Sequence, residues 1–157
     1  MDLRLKLANI HLDVDLPERC SSVLGHANQL EQVLINLLGN AHDAIVDHPN
    51  PFGSAIGRIT VALSENTANG TVAVRVNDTG GGIPPGIRDR VFDPFFTTKE
   101  VGQGTGLGLS ICSTAIAEMK GKIEIVDAAF GTEMIVTLPT CKMELSGVSA
   151  PLKEQTL

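Results

Sequence analysis

The chain has no tryptophan and no tyrosine, and phenylalanine occurs only five times in 157 residues. Any core must therefore be aliphatic. Charged residues are few at 19% against 43% hydrophobic, a balance too apolar for a disordered chain. A chain of this length can bury about 70% of the surface it exposes when unfolded, so one self-supporting core is expected. Basic residues are outnumbered, 12 against 18 acidic, for a formal charge of −6. That shortage excludes a protein that wraps nucleic acid or lies on anionic lipid, since both need a Lys/Arg-rich face. Any phosphate must be gripped locally. Cysteine is also scarce: Cys20, Cys112 and Cys141 form no CxxC or CxxH spacing, which excludes a disulfide framework and a zinc site. They are expected to be reduced thiols, two of them packed. No apolar run approaches the ~20 residues of a membrane span, and Met1 to Lys6 lacks a signal peptide's apolar stretch, so the expected compartment is the cytoplasm.

What is present has a readable order. Ile10, Leu12, Val14 and Leu16 alternate with polar neighbours, which predicts a strand with one buried face, ended by Pro17. From Asn28 to Val46 the period becomes helical, and one arc holds Leu30, Val33, Leu34, Leu37, Leu38, Ala41, Ala44 and Ile45. A loop around His48 follows, then strands Arg58 to Leu63 and Thr71 to Val76 joined by an Asn69-Gly70 turn. The glycine-rich stretch Asp78 to Gly108, broken by a short helical candidate at Pro85 to Val91, is too long for an idle connection. Leu109 to Met119 reads as a helix stopped at Lys120-Gly121, and Lys122 to Val126 with Thr132 to Leu138 as a closing hairpin. There are too few helices for a doubly wound parallel sheet. The prediction is an α/β (α+β) two-layer sandwich, a mixed and mostly antiparallel sheet of about five strands with about three helices on one face. Residues 1–140 form the domain and 141–157 a frayed tail.

Three constellations carry chemistry. On the first helix Gln29, Gln32, Asn36, Asn40 and Asp43 fall within about 40° of one line, a polar stripe beside the apolar arc. Amide oxygens four residues apart suit Mg²⁺, which takes few protein ligands and the rest from phosphate and water; an ordinary solvated face fits the same pattern. The second is Asn77-Asp78-Thr79-Gly80-Gly81-Gly82-Ile83 at a strand end, where glycines let a ligand approach the main chain and Asp78 can accept from the amino group of a planar base. A plain Asp/Gly turn is its bland alternative. The third is Gly102-Gln103-Gly104-Thr105-Gly106-Leu107-Gly108 running into a helix, whose free amides and positive end can cradle phosphate. A dinucleotide fingerprint is excluded because the glycines arrive after three strands with no parallel βαβ unit around them, and a Walker A loop because no GK[ST] follows.

In order, Gln32 to Ala41 with Asn36 and Asn40, Asp78 to Pro84, Phe92 to Lys99 and Gly104 to Leu109 resemble the N, G1, F and G2 boxes of bacterial sensor histidine kinases. The likeness runs from Asn9 to Pro139. It implies the ATP-binding sandwich shared by histidine kinases, gyrase, 90 kDa heat-shock chaperones and mismatch-repair ATPases, with ATP and Mg²⁺ under a flexible lid. It makes Asp78 the adenine acceptor, with Thr132 supporting the base through water, and Asn36 and Asn40 the metal site. Asp43, Gly80, Gly82, Ile83 and Thr98 join the nucleotide-binding set. Lys99 should reach the terminal phosphates, and the amides of Gly104, Thr105, Gly106, Leu107 and Gly108 should hold them. Phe92 is expected in the core, and Phe95 or Phe96 as a hinge that docks the lid.

Two departures qualify the likeness. The related ATPases place a glutamate base four residues before the metal-binding Asn; here that position is Asn36, an amide that cannot act as a base, and Glu31 lies about 180° around the helix from Asn40. Slow hydrolysis is expected. Nor does a phospho-accepting box occur: His11, His26 and His48 precede Leu, Ala and Pro, and His42, which precedes Asp43, sits inside the nucleotide-site helix. The resemblance thus implies a catalytic domain, monomeric by itself, that passes the γ-phosphoryl group to a histidine on a separate dimerisation helix and so to a response regulator, with Asn36 and Lys99 as catalytic residues. An ATPase of the gyrase or chaperone class and a nucleotide-gated binding module are the alternatives.

Overall fold

A computed structural model describes residues 9–47, 57–99, 104–126, 128 and 130–141. His48, Gly102 and Gln103, part of the expected lid, and the tail from residue 142 lie outside the described residues. The elements are β1 (Ile10–Asp15), α1 (Ala27–Asp47), β2 (Gly57–Asn66), β3 (Thr71–Asp78), a 3-10 helix (Pro85–Arg90), α2 (Gly108–Glu118), β4 (Lys122–Val126) and β5 (Glu133–Pro139).

The five strands form one sheet in the order β1-β2-β3-β5-β4. β1 and β2 run parallel, which requires a crossover, and α1 supplies it. Every other pair is antiparallel. The sheet is therefore mixed, as the element order predicted, with two α-helices and one 3-10 helix among the described residues.

Alternation puts Val72, Val74 and Val76 of β3 and Met134, Val136 and Leu138 of β5 on one face. Against them pack Val33, Leu37, Ala41 and Ile45 of α1 and Cys112, Ala115 and Ile116 of α2. Leu37, Ile59, Ile116 and Val136 are almost wholly enclosed, each burial stabilising by about 1.5–3 kcal/mol. The opposite face is polar and carries the ion pairs Arg58–Asp13 and Arg75–Glu133. Two inward positions beyond the apolar run matter most. Asp78 is the next residue on the buried face after Val76, and Thr132 precedes Met134 with the same parity, so strand periodicity turns both toward the helices.

Some expectations need correction. Of the alternating residues in and after β1, Ile10 is buried and Leu12 half-buried, but Val14 and Leu16 are exposed, because β1 is an edge strand and α1 packs on β2 and β3. Only Cys112 is a packed thiol; Cys20 and Cys141 are exposed. The chain beyond β5 is not frayed at once: Thr140 bridges Val23, and the Cys141 amide donates to Ser22 O at 2.7 Å. A bridge of one residue pair, Val23 with Thr140, is too short to leave a periodic signal in the sequence.

Candidate nucleotide site

Between α1, the end of β3, the 3-10 helix and the entry to α2 lies a cavity of about 910 Å³, within the range of small-molecule sites. The polar stripe of α1 divides at its edge. Its upper part faces α2: Gln29 Nε2 donates to Glu118 Oε2 at 3.1 Å, and Gln32 Nε2 donates to Asn36 Oδ1 at 3.3 Å. Asn36 Nδ2 in turn donates to Gly108 O at 3.4 Å and meets Cys112 Sγ at 3.5 Å. Its lower part, Asn40 and Asp43, lines the cavity. Helical geometry aligned these residues, and only the position of α2 separates them.

Asp78 is 4% exposed. Its Oδ1 accepts from the Gly80 amide at 2.8 Å and the Thr132 amide at 3.3 Å. Burial pushes this carboxyl above its ordinary value, only partly opposed by those bonds. Glycines make the arrangement possible. A Cβ on Gly131, at φ +70°, would meet Asp78 O at 1.9 Å, and one on Gly80 would meet the Ala44 carbonyl at 2.6 Å. Gly131 thus lets backbone close on Asp78, and Gly80 lets the turn after it pack against α1.

Lys99 enters from the segment after the 3-10 helix, its ammonium donating to Asp43 Oδ2. His42 Nδ1 lies 3.0 Å from Asp43 Oδ1. Burial alone would raise the Asp43 carboxyl, but the hydrogen bonds from Lys99 and His42, with their charge, hold it below its ordinary value. Phe96 lines the cavity with the Arg90 guanidinium 4.7 Å from its ring centre, a cation–π contact. Phe95 is 75% exposed and sits at φ +68°, whereas Phe92 packs on the core.

Of the residues singled out from sequence, Asn40, Asp43, Asp78, Gly82, Ile83, Phe96, Thr98, Lys99, Gly104, Thr105, Gly106, Gly108 and Thr132 line this one cavity. Asn36, Gly80, Phe95 and Leu107 do not. Gly80 braces Asp78 from behind, Leu107 caps α2, and Asn36 ties α1 to α2. Sequence reasoning missed Ala44, Ile87 and Met134, which supply apolar wall, and the role of Gly131. The first three carry only the periodicity of core residues, so nothing local separates cavity wall from core. Gly131 was visible just as the neighbour of Thr132.

Residues 25–142 match the family described as histidine kinase-, DNA gyrase B- and HSP90-like ATPase. Two-component sensor PprA of Pseudomonas aeruginosa is 41% identical over 130 residues, 83% of this chain but 14% of that protein. The chain thus spans a small part of this curated relative. The catalytic domain of histidine kinase ThkA, solved free of nucleotide, superposes with a TM-score of 0.74 at 31% identity, covering 88% of this chain and 84% of that one. ThkA in complex with response regulator protein TrrA gives 0.70 at 27% identity, over 89% of this chain and 37% of that one. The chain belongs to this ATPase family and is the catalytic domain of a two-component sensor histidine kinase. Its likeness to the N, G1, F and G2 boxes is therefore a true kinship.

Proposed function

We propose that this domain binds Mg²⁺–ATP in the cavity and transfers the γ-phosphoryl group to a histidine on a separate helix, from which a response regulator receives it. The observation that carries the reading is that buried Asp78 and the cation of Lys99 share one cavity with the glycine-rich entry to α2. Asp78 accepts from the adenine amino group through the carboxylate capacity left by the Gly80 and Thr132 amides, with Thr132 completing that end. Ile83, Ile87 and Met134 offer apolar surface to the base. The amides of Gly104 to Gly108 and the positive end of α2 receive the phosphates.

The side chains present fit Mg²⁺ unequally. Asn40 lines the cavity and has no side-chain hydrogen bond to another described residue, so its oxygen is available. The Asn36 oxygen accepts from Gln32 and its nitrogen is turned to α2, which makes Asn36 a brace for the helix pair and Asn40 the holding residue. When bound, Mg²⁺ neutralises charge on the phosphate chain; phosphate and water oxygens would complete its shell. Lys99 adds positive charge beside the γ-phosphoryl group, and the rest is positioning. An imidazole nitrogen of the acceptor histidine forms the new P–N bond as the bridge to the β-phosphate breaks, and ADP leaves. No carboxylate stands where a hydrolytic base would be needed, because that place is Asn36.

The ThkA complex with TrrA supports a regulator downstream. The cytoplasm supplies the nucleotide and is the compartment assigned; no helix of the described residues is long and apolar enough to cross a membrane. To test the reading, γ-labelled ATP is incubated with the chain, Mg²⁺ and a His-containing partner helix. Label on the partner's histidine, with little phosphate released when the partner is omitted, is the expected result. Partner-independent turnover near ~10 per second would favour an ATPase of the gyrase or chaperone class.

A further inference from the structure

The contact between Lys99 and Asp43 pairs the cavity's phosphate-seeking cation with an anion of the protein itself. Both groups line the cavity, and both are partly accessible, Lys99 at 29% and Asp43 at 41% of side-chain surface. Asp43 is also gripped from behind by His42, which bonds its other oxygen. The lysine is steadied too: its backbone amide donates to Thr97 Oγ1 at 3.1 Å, and a Cβ added to Gly104 would stand 3.2 Å from its Cδ. The ammonium therefore lies where incoming phosphate would be held, already neutralised.

Resting on the nucleotide reading above, we propose that Asp43 is an internal competitor for Lys99, a carboxylate that a bound phosphate must displace and that lowers the affinity of the site for phosphorylated nucleotides. The physical reason is exchange. A terminal phosphate carries more negative charge than a carboxylate, so it takes the ammonium, but the free energy of the broken pair is subtracted from binding. Once displaced, Asp43 is an unpaired anion near phosphate and adds repulsion. After departure of nucleotide the carboxylate takes Lys99 back, so the same residue that weakens binding also favours release. A ligand without phosphate leaves the pair untouched. Partly exposed ion pairs of this kind correspond to about a two- to fivefold change in affinity at low ionic strength, shrinking as salt is added.

The experiment measures equilibrium binding of metal-free ATP and of adenosine, by amide chemical-shift titration, to the chain and to Asp43→Asn, Asp43→Glu, Lys99→Met and the Asp43→Asn/Lys99→Met double variant. Expected are about two- to fivefold tighter ATP binding by Asp43→Asn, unchanged adenosine binding, and wild-type behaviour in Asp43→Glu, which keeps the pair. In the Lys99→Met background most of the gain should vanish. Weaker or unchanged ATP binding in Asp43→Asn overturns the proposal. A gain of the same size with and without Lys99 overturns it as well, since it would reduce the effect to simple repulsion. A wild-type chain that binds neither ATP nor adenosine would instead overturn the nucleotide reading beneath it.

Discussion

Replacing Asp78 by Asn should separate binding from stability. The amide oxygen can still accept from Gly80 N and Thr132 N, so the local frame is kept. The second oxygen becomes an NH₂ donor, which faces the donor amino group of adenine and loses that bond. The loss of a hydrogen bond of this kind costs about 1–3 kcal/mol, which converts to about 5- to 140-fold weaker binding. Stability should move the other way. Burial raises the Asp78 carboxyl in the folded state above its ordinary value, so between the unfolded and folded values the native state holds more protons than the unfolded one. Stability from this group is present at low pH and is lost as pH rises through the folded value; near neutrality the ionised carboxylate is a cost that a neutral Asn removes. The variant should melt at the same or a higher temperature near neutral pH while ADP affinity falls. Wild-type affinity should also decline on acidification, beginning above the ordinary carboxylate range, and this decline should be absent in Asp78→Asn. Calorimetric titration of ADP across pH, paired with thermal melts, reads all three. Equal ADP affinity, or the same pH profile in both proteins, would refute the assignment of Asp78.

Gly131→Ala forces a left-handed residue, worth about 1–2 kcal/mol, into a place where Cβ would meet backbone of Asp78; denaturant melts should show a loss of at least that size, with nucleotide affinity reduced alongside. Asn40→Ala should lower phosphoryl transfer more than metal-free nucleotide binding, checked by comparing transfer rates with titrations done without Mg²⁺; equal losses in both would contradict a metal-holding role. Leu37, 1% exposed at the centre of α1, should cost about 2–5 kcal/mol when cut to Ala, measured by urea unfolding.

The fold was largely legible because its signals are local. The helical arc of α1, the alternating valines of β3 and the Asn69-Gly70 turn each sit in a few consecutive residues, and their order alone excluded a doubly wound sheet. Edge effects were not legible: Val14 alternates as well as Val72 does, yet one is exposed and the other buried, because burial depends on which strand a helix covers. The exposed thiols Cys20 and Cys141 lie outside every strand and helix, where no periodicity reports burial. By itself the sequence determined the elements, the family boxes and which side chains share a helix face or a strand face, since these follow from periods of 3.6 and 2. Only the tertiary structure decided that Asn36 serves the contact between α1 and α2 while Asn40 lines the cavity, that Gly131 must lack a side chain beside Asp78, and that Lys99 rests on Asp43. Each of these joins residues distant along the chain, and such proximity is created by packing, which no local pattern encodes.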